Sequence, residues 1–201
     1  MKDDYFDDRM VFRQRLLWAV ATRRQLERWE PLVARFARRQ MVNRQLDDAD
    51  IWLAATEHHF VLIAARNLFR ALDLAPATDF SIDPTVRAEL IEGRDLHEHW
   101  AESLPVFNVT PRQTQPRYPS GKNFAARNPD RGPYWWLGWS TKTGAVLLPH
   151  VSAPVLHQLL DAVEAEILSQ DAALSTFVPP RAPSLWLHQG GEWWPKATDE
   201  E

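Results

Sequence analysis

The chain contains no cysteine, which excludes disulfides, thiolate metal ligands and cysteine nucleophiles. Lysine is scarce, four residues against nineteen arginines, a bias that fits a GC-rich genome as well as it fits selection for phosphate binding. No apolar run approaches the length of a membrane span, and residues 1–10 are acidic, without the apolar stretch of a secretory leader. The expectation is a soluble, cytoplasmic protein with no membrane partner. Also missing are a phosphate-cradling glycine loop, a dinucleotide fingerprint, a nucleophile elbow and any internal repeat. What is present is 201 residues with 45% apolar content, enough to bury the core of one domain with or without an appendage.

The net charge of -4 hides an asymmetry. Residues 9–44 hold ten arginines against Glu27 and Glu30, a local balance of +8, whereas residues 161–201 hold eight acids against Arg181 and Lys196, a balance of -6. A basic segment can guide a polyanion to a local site even when the whole chain is acidic. Equally, these arginines can be solvated helix faces and partners for the acidic C-terminal part.

Apolar residues recur at helical spacing over 9–30, through Val11, Phe12, Leu16, Leu17, Val20, Leu26 and Trp29. Pro31 then suits the first turn of a second helix over 32–46, with Val33, Phe36, Ala37 and Met41 inward. Asp47, Asp48 and Asp50 open a third helix over 51–74, where acids favour the N-terminal dipole end. Being apolar over most of its circumference, this third helix is expected to be central. Its polar exceptions are His58, His59, Arg66 and Arg70. In such a helix the arginines must pair, reach water or face a partner, because an unpaired buried charge is costly. Asp95, Glu98 and Glu102 of the next helix are possible partners.

A fourth helix begins near Asp83-Pro84 and ends before Pro105. Within it, residues 93–100 read Gly-Arg-Asp-Leu-His-Glu-His-Trp. Arg94 is a permanent cation whose planar fork fits phosphate, and His97 and His99 can carry protons near neutral pH. Together they can do acid-base work on a phosphodiester without a metal. On a regular helix Arg94 and His99 lie roughly 140° apart. A break at Gly93, or two copies of the motif meeting across a twofold axis, would bring such groups together. A hydrogen-bonded core His97 beside an exposed His99 is the plainer alternative.

Residues 108–133 change character, with Arg112, Arg117, Lys122, Arg127 and Arg131 among prolines, asparagines and glycines. This reads as a long basic loop. With Tyr118 and Phe124 interleaved it could hold single-stranded nucleic acid, or be only a surface loop. A β-hairpin follows over 134–139 and 145–151, with Trp135, Trp136 and Trp139 as its apolar area. Ser152 starts a fifth helix through about residue 174, with Val155, Leu156, Leu159, Val163 and Ile167 as its buried stripe. Residues 178–201, with Trp186, Trp193 and Trp194, read as an extended arm that docks on its own domain or on a second subunit. The organisation is thus a helical bundle over 1–107, a basic loop over 108–133, a hairpin plus helix over 134–177 and a tail over 178–201.

The spacing of Arg94 and His99, with Asp95 directly after the arginine and Glu98-His99-Trp100 closing the run, resembles the Arg-x4-His signature of the HEPN superfamily. The helices over 9–104 extend that resemblance. It implies a HEPN-like helical bundle, a homodimer whose cleft is a composite of two protomers, and a metal-independent endoribonuclease needing no cofactor, of the toxin or phage-defence kind, with a possible regulatory protein partner. In that case His99 is the acid-base group and Arg94 holds the phosphate. Asp95 and Glu98 orient them and His97 is a second proton carrier. RNA would be contacted by Arg66, Arg70, Arg112, Arg117, Lys122 and Arg127. Relatives silenced by tyrosine modification carry that tyrosine two positions after the histidine, where this chain has Ala101. Two other classes fit the residues. One is a metal-dependent hydrolase or transferase on a DinB-like bundle, with His58 or His59 joining His97 or His99 on zinc or nickel. The other is a noncatalytic HEPN-like dimeric interaction protein.

Overall fold

The computed structural model describes residues 8–42, 48–74, 82–98, 138–148 and 150–197; of Asp48 and residues 92–98 it describes the backbone alone. The expected mainly α fold with an appended antiparallel hairpin is what it shows. In chain order the described elements are α1 (Asp8–Met41), α2 (Asp48–Leu72), α3 (Pro84–Glu98), β1 (Gly138–Ser140), β2 (Gly144–Leu148), β3 (Val151–Ser152), α4 (Ala153–Gln170), a 3₁₀ helix (Ala172–Phe177), β4 (Trp186–Gln189) and β5 (Glu192–Pro195).

The two helices expected on either side of Pro31 are one. α1 runs unbroken for 34 residues with Pro31 inside it. A proline there removes one hydrogen bond and crowds the carbonyl four residues back, at a cost of about 3 kcal/mol. The ring is exposed, while Leu26, Trp29, Val33, Ala34 and Ala37 around it are fully buried. Burial of each large side chain contributes about 1.5–3 kcal/mol, so a few of these offset the loss.

The unbroken helix also changes which element is central. α2, α4 and strands β1, β2 and β5 all pack on α1, whereas α2 packs chiefly on α1 and α3. α2 keeps an apolar arc open instead, with Trp52 71%, Leu53 47% and Phe60 45% exposed. Leu17 and Met41, expected inward on α1, are also more than half exposed. α3 starts beside the C-terminal end of α2, where Arg87 pairs with Asp73 and lies over the Phe69 ring.

The main core joins Leu26 and Trp29 of α1, Leu62 and Phe69 of α2, Leu90 of α3, Leu147 of β2, Leu156 and Val163 of α4, and Trp186 of β4, and a smaller cluster of Leu32 and Ala54 lies between α1 and α2. The sheet is antiparallel in the order β1-β2-β3, one strand more than a hairpin. All five residues of β2 are buried, so this strand is covered on both faces. Gly144 opens it with φ +71, the left-handed conformation that a glycine supplies after the Thr-Lys-Thr turn. Ser152 is the N-cap of α4, yet its side chain makes no cap bond. On α4 the buried stripe is Leu156, Leu160, Val163, Glu164 and Ile167, while Val155 is 39% exposed.

The C-terminal segment is not a simple arm. Its strands β4 and β5 pair with each other around Gly190-Gly191, both at positive φ, a two-residue turn of the kind that suits tight hairpins. This hairpin docks on its own domain. Trp186 is buried and stacks on Trp139, the Trp193 amide donates to the Thr141 carbonyl at 2.5 Å, and Arg38 donates to the Lys196 carbonyl. Among the described residues no helix is long and apolar enough to cross a membrane.

Candidate functional site

Of the residues that carry the Arg-x4-His motif, Arg94, Asp95, His97 and Glu98 lie on the closing turns of α3. The helix continues through Gly93 to Glu98 without a break, so that route to uniting the motif is not taken. The side chains of these four, and His99 altogether, lie outside the described residues, as do Arg112, Arg117, Lys122 and Arg127 of the basic segment. Arg66 is half-buried and Arg70 exposed on α2. His58 is a core residue: it is 0% exposed, packs 5.7 Å from the Trp29 ring, and its Nε2 lies 2.9 Å from the Leu147 carbonyl, to which it donates. That donation removes Nε2 from metal ligation. Among the described residues no group of three histidine, aspartate or glutamate side chains is placed to hold a metal ion.

The α1 arginines are mostly engaged at home. Arg9 pairs with Asp171, Arg23 with Asp161 and Glu164, Arg24 with Glu27, and Arg35 and Arg39 with Asp50. Three of these partners belong to the acidic C-terminal part. Four acids from outside the run, Asp50, Asp161, Glu164 and Asp171, thus offset about half of its +8 balance and tie α1 to its neighbours, the second of the two uses its pattern allowed.

The densest chemistry lies where α1 faces α4. Arg23, Glu27 and Glu30 stand at i, i+4 and i+7 on α1, so they share one face. His157, Asp161 and Glu164 stand at the same intervals on α4. Arg23, 4% exposed, donates from Nε to Glu164 Oε1 at 2.9 Å and from Nη2 to Asp161 Oδ1 at 2.7 Å. Burial alone would push its pKa down, but the hydrogen bonds and negative charge of Glu164 and Asp161 more than offset this, and the guanidinium is held above its ordinary value.

The third Arg23 contact fixes a histidine tautomer. Arg23 Nη1 lies 3.4 Å from His157 Nδ1. A guanidinium can only donate, so Nδ1 is the acceptor, the imidazole is neutral and its proton sits on Nε2. Nε2 donates to Glu30 Oε1 at 2.5 Å. Arg181, entering from the segment before β4, reaches Asp161 at 3.0 Å and Glu164 at 3.4 Å. Between α1, the start of α4 and residues 181–186 lies an open cleft of about 340 Å³, floored by Glu30 and His157 and walled by Trp186 and Trp193.

The sequence reading passed over this site. Both triplets have a visible signal, charged residues at helical intervals within or beside the apolar stripe, which implies pairing once the stripe is buried. Nothing in a single sequence says that a triplet at 23–30 meets one at 157–164. No protein-family model, no curated protein and no solved structure matches the chain.

Proposed function

We propose that the chain is a HEPN-like, metal-independent endoribonuclease that works as a cytoplasmic homodimer, of the toxin or phage-defence type and restrained by a regulatory partner. The observation that carries this reading is the Arg94-Asp95 and Glu98-His99 pattern at the end of a helix that the core anchors through Val86 and Leu90. In the proposed reaction His99 takes the proton of an RNA 2′-hydroxyl as its oxygen attacks the adjacent 3′-phosphate. Arg94 stabilises the charge that develops on the phosphoryl oxygens. The 5′-oxygen leaves with a proton, supplied by His97 or by His99 of a second copy, giving a 2′,3′-cyclic phosphate and a 5′-hydroxyl. Asp95 and Glu98 orient these groups. With most α1 arginines engaged in ion pairs, RNA contact falls to Arg66, Arg70, Arg112, Arg117, Lys122 and Arg127. The test is cleavage of RNA in EDTA by the purified protein and by its His99→Ala and Arg94→Ala variants, with product ends identified. Cyclic-phosphate products that vanish in both variants are expected, whereas cleavage unaltered in both sinks the proposal.

A second reading, a noncatalytic HEPN-like dimeric interaction protein, is favoured by one observation. Trp52, Leu53 and Phe60 fall within about 100° of one another on α2 and are largely exposed, and apolar area left open on a surface marks contact with another protein. A protein that is dimeric by light scattering, turns monomeric on Trp52→Ser with Phe60→Ser and cleaves no RNA would be this one.

A further inference from the structure

The cleft between α1 and α4 carries an inference independent of the ribonuclease reading. Its polar groups are arranged around two guanidiniums. Arg23 directs Nε, Nη1 and Nη2 to Glu164, His157 and Asp161, and Arg181 shares Nη2 between Asp161 and Glu164. Carboxylates outnumber these cations. Glu30 is 7% exposed and lines the cleft. Its Oε1 receives the His157 proton donor, and its Oε2 has no hydrogen-bond partner among the described residues. Charge agrees with this count. Arg24 and Glu27 cancel, and Arg23 and Arg181 face Asp161, Glu164 and Glu30, which leaves one negative charge in excess beside a neutral imidazole.

A bound cation removes that excess. The walls suit a cation attached to a flat apolar body. The half-buried Trp193, the edge of the buried Trp186, Pro154 and Pro183 are among the residues that line the cleft. Aromatic faces attract ammonium groups as well as apolar surface. We propose that this cleft is a binding site for an organic cation, a primary amine on an aromatic or aliphatic body, whose nitrogen donates to Glu30 Oε2 and whose body lies against Trp186 and Trp193.

The experiment is calorimetric titration of the full chain with phenethylamine, with 2-phenylethanol as its uncharged counterpart and 3-phenylpropionate as its anionic one. Phenethylamine should bind saturably and at least tenfold more tightly than the alcohol, a difference of about 1.4 kcal/mol. Glu30→Gln should abolish that preference. Trp193→Ala, at a half-buried position, should weaken amine and alcohol alike and serves as the control if Glu30→Gln does not fold. Equal affinity for amine and alcohol overturns the proposal, and so does the absence of saturable amine binding at millimolar concentration. Preference for phenylpropionate overturns it in favour of an anion site at Arg181.

Discussion

Two arginines on the same helix, eight residues apart, are both buried and are stabilised in opposite ways. Arg15, 1% exposed, donates from Nε to the Ala71 carbonyl at 3.1 Å and from Nη2 to the Leu74 carbonyl at 2.5 Å, so it caps the C-terminal end of α2. Arg23 meets two carboxylates. The first region offers carbonyl dipoles, which satisfy the donors but return only part of the hydration a full charge loses. Burial therefore pulls Arg15 below its ordinary pKa, against an opposing pull from the negative charge of Glu166. The second region offers full charges, and Arg23 rises. A buried cation is thus tolerated by either means, and the partner decides what its removal does.

The largest expected effect is at Arg23. Arg23→Ala leaves Glu164, 3% exposed, with only the longer 3.4 Å contact to Arg181, and should lower unfolding free energy by about 3 kcal/mol in urea titrations. Arg23→Met combined with Glu164→Leu should recover most of that, because both charges leave together. Arg15→Met should cost less, about 1–3 kcal/mol, through the loss of its hydrogen bonds to the Ala71 and Leu74 carbonyls. Equal losses at the two sites would break the distinction between dipole and charge.

Pro31→Ala tests α1 itself, with the opposite sign. Restoring the helical hydrogen bond should raise stability by about 1–3 kcal/mol, or roughly 2–4 °C in melting temperature per kcal/mol for a chain of this size. An unchanged or lower melting temperature would mean that the helix gains nothing from that bond.

The pH dependence sharpens the same contrast. The stability that Arg23 contributes through its raised pKa is complete below its unfolded value, and is lost only as pH rises through the higher folded value. Arg15 has the reverse sign, since its charged form is penalised in the folded state and the penalty fades at alkaline pH. Neither guanidinium loses its proton between pH 8 and pH 9. The stability gap between the wild-type chain and Arg23→Met should therefore be flat over that interval, which lies above the range where a histidine at contact distance titrates. The smallest effect belongs to Arg24, half exposed and paired only with Glu27 within its own helix: Arg24→Ala should change stability by less than about 1 kcal/mol.

Local pattern made much of the architecture legible. The starts of α3 at Asp83-Pro84 and of α4 at Ser152, and the turn closed by Gly144, were all written in short stretches of residues. Two misreadings came from trusting a local rule over packing. Pro31 was read as a helix start, but the buried residues on both sides of it carry the helix through. The tail was read as extended although Gln189-Gly190-Gly191-Glu192 holds the two-residue turn that folds it into β4 and β5. The α1–α4 cleft was the least legible, because its halves are far apart in the chain and each alone looks like an ordinary amphipathic helix. The Arg94–His99 motif is the reverse case, conspicuous in sequence and carried by residues whose side chains lie outside those described.

The bond between Arg23 and Glu164 spans 141 residues. On a ribosome adding about 5–20 residues per second, the carboxylate is made roughly 7–28 s after the guanidinium it will neutralise. Throughout that interval the part of α1 that α4 will cover stays open with Arg23 unneutralised, so the nascent chain depends there on solvent, chaperone or the ribosome's own surface until its C-terminal helix arrives.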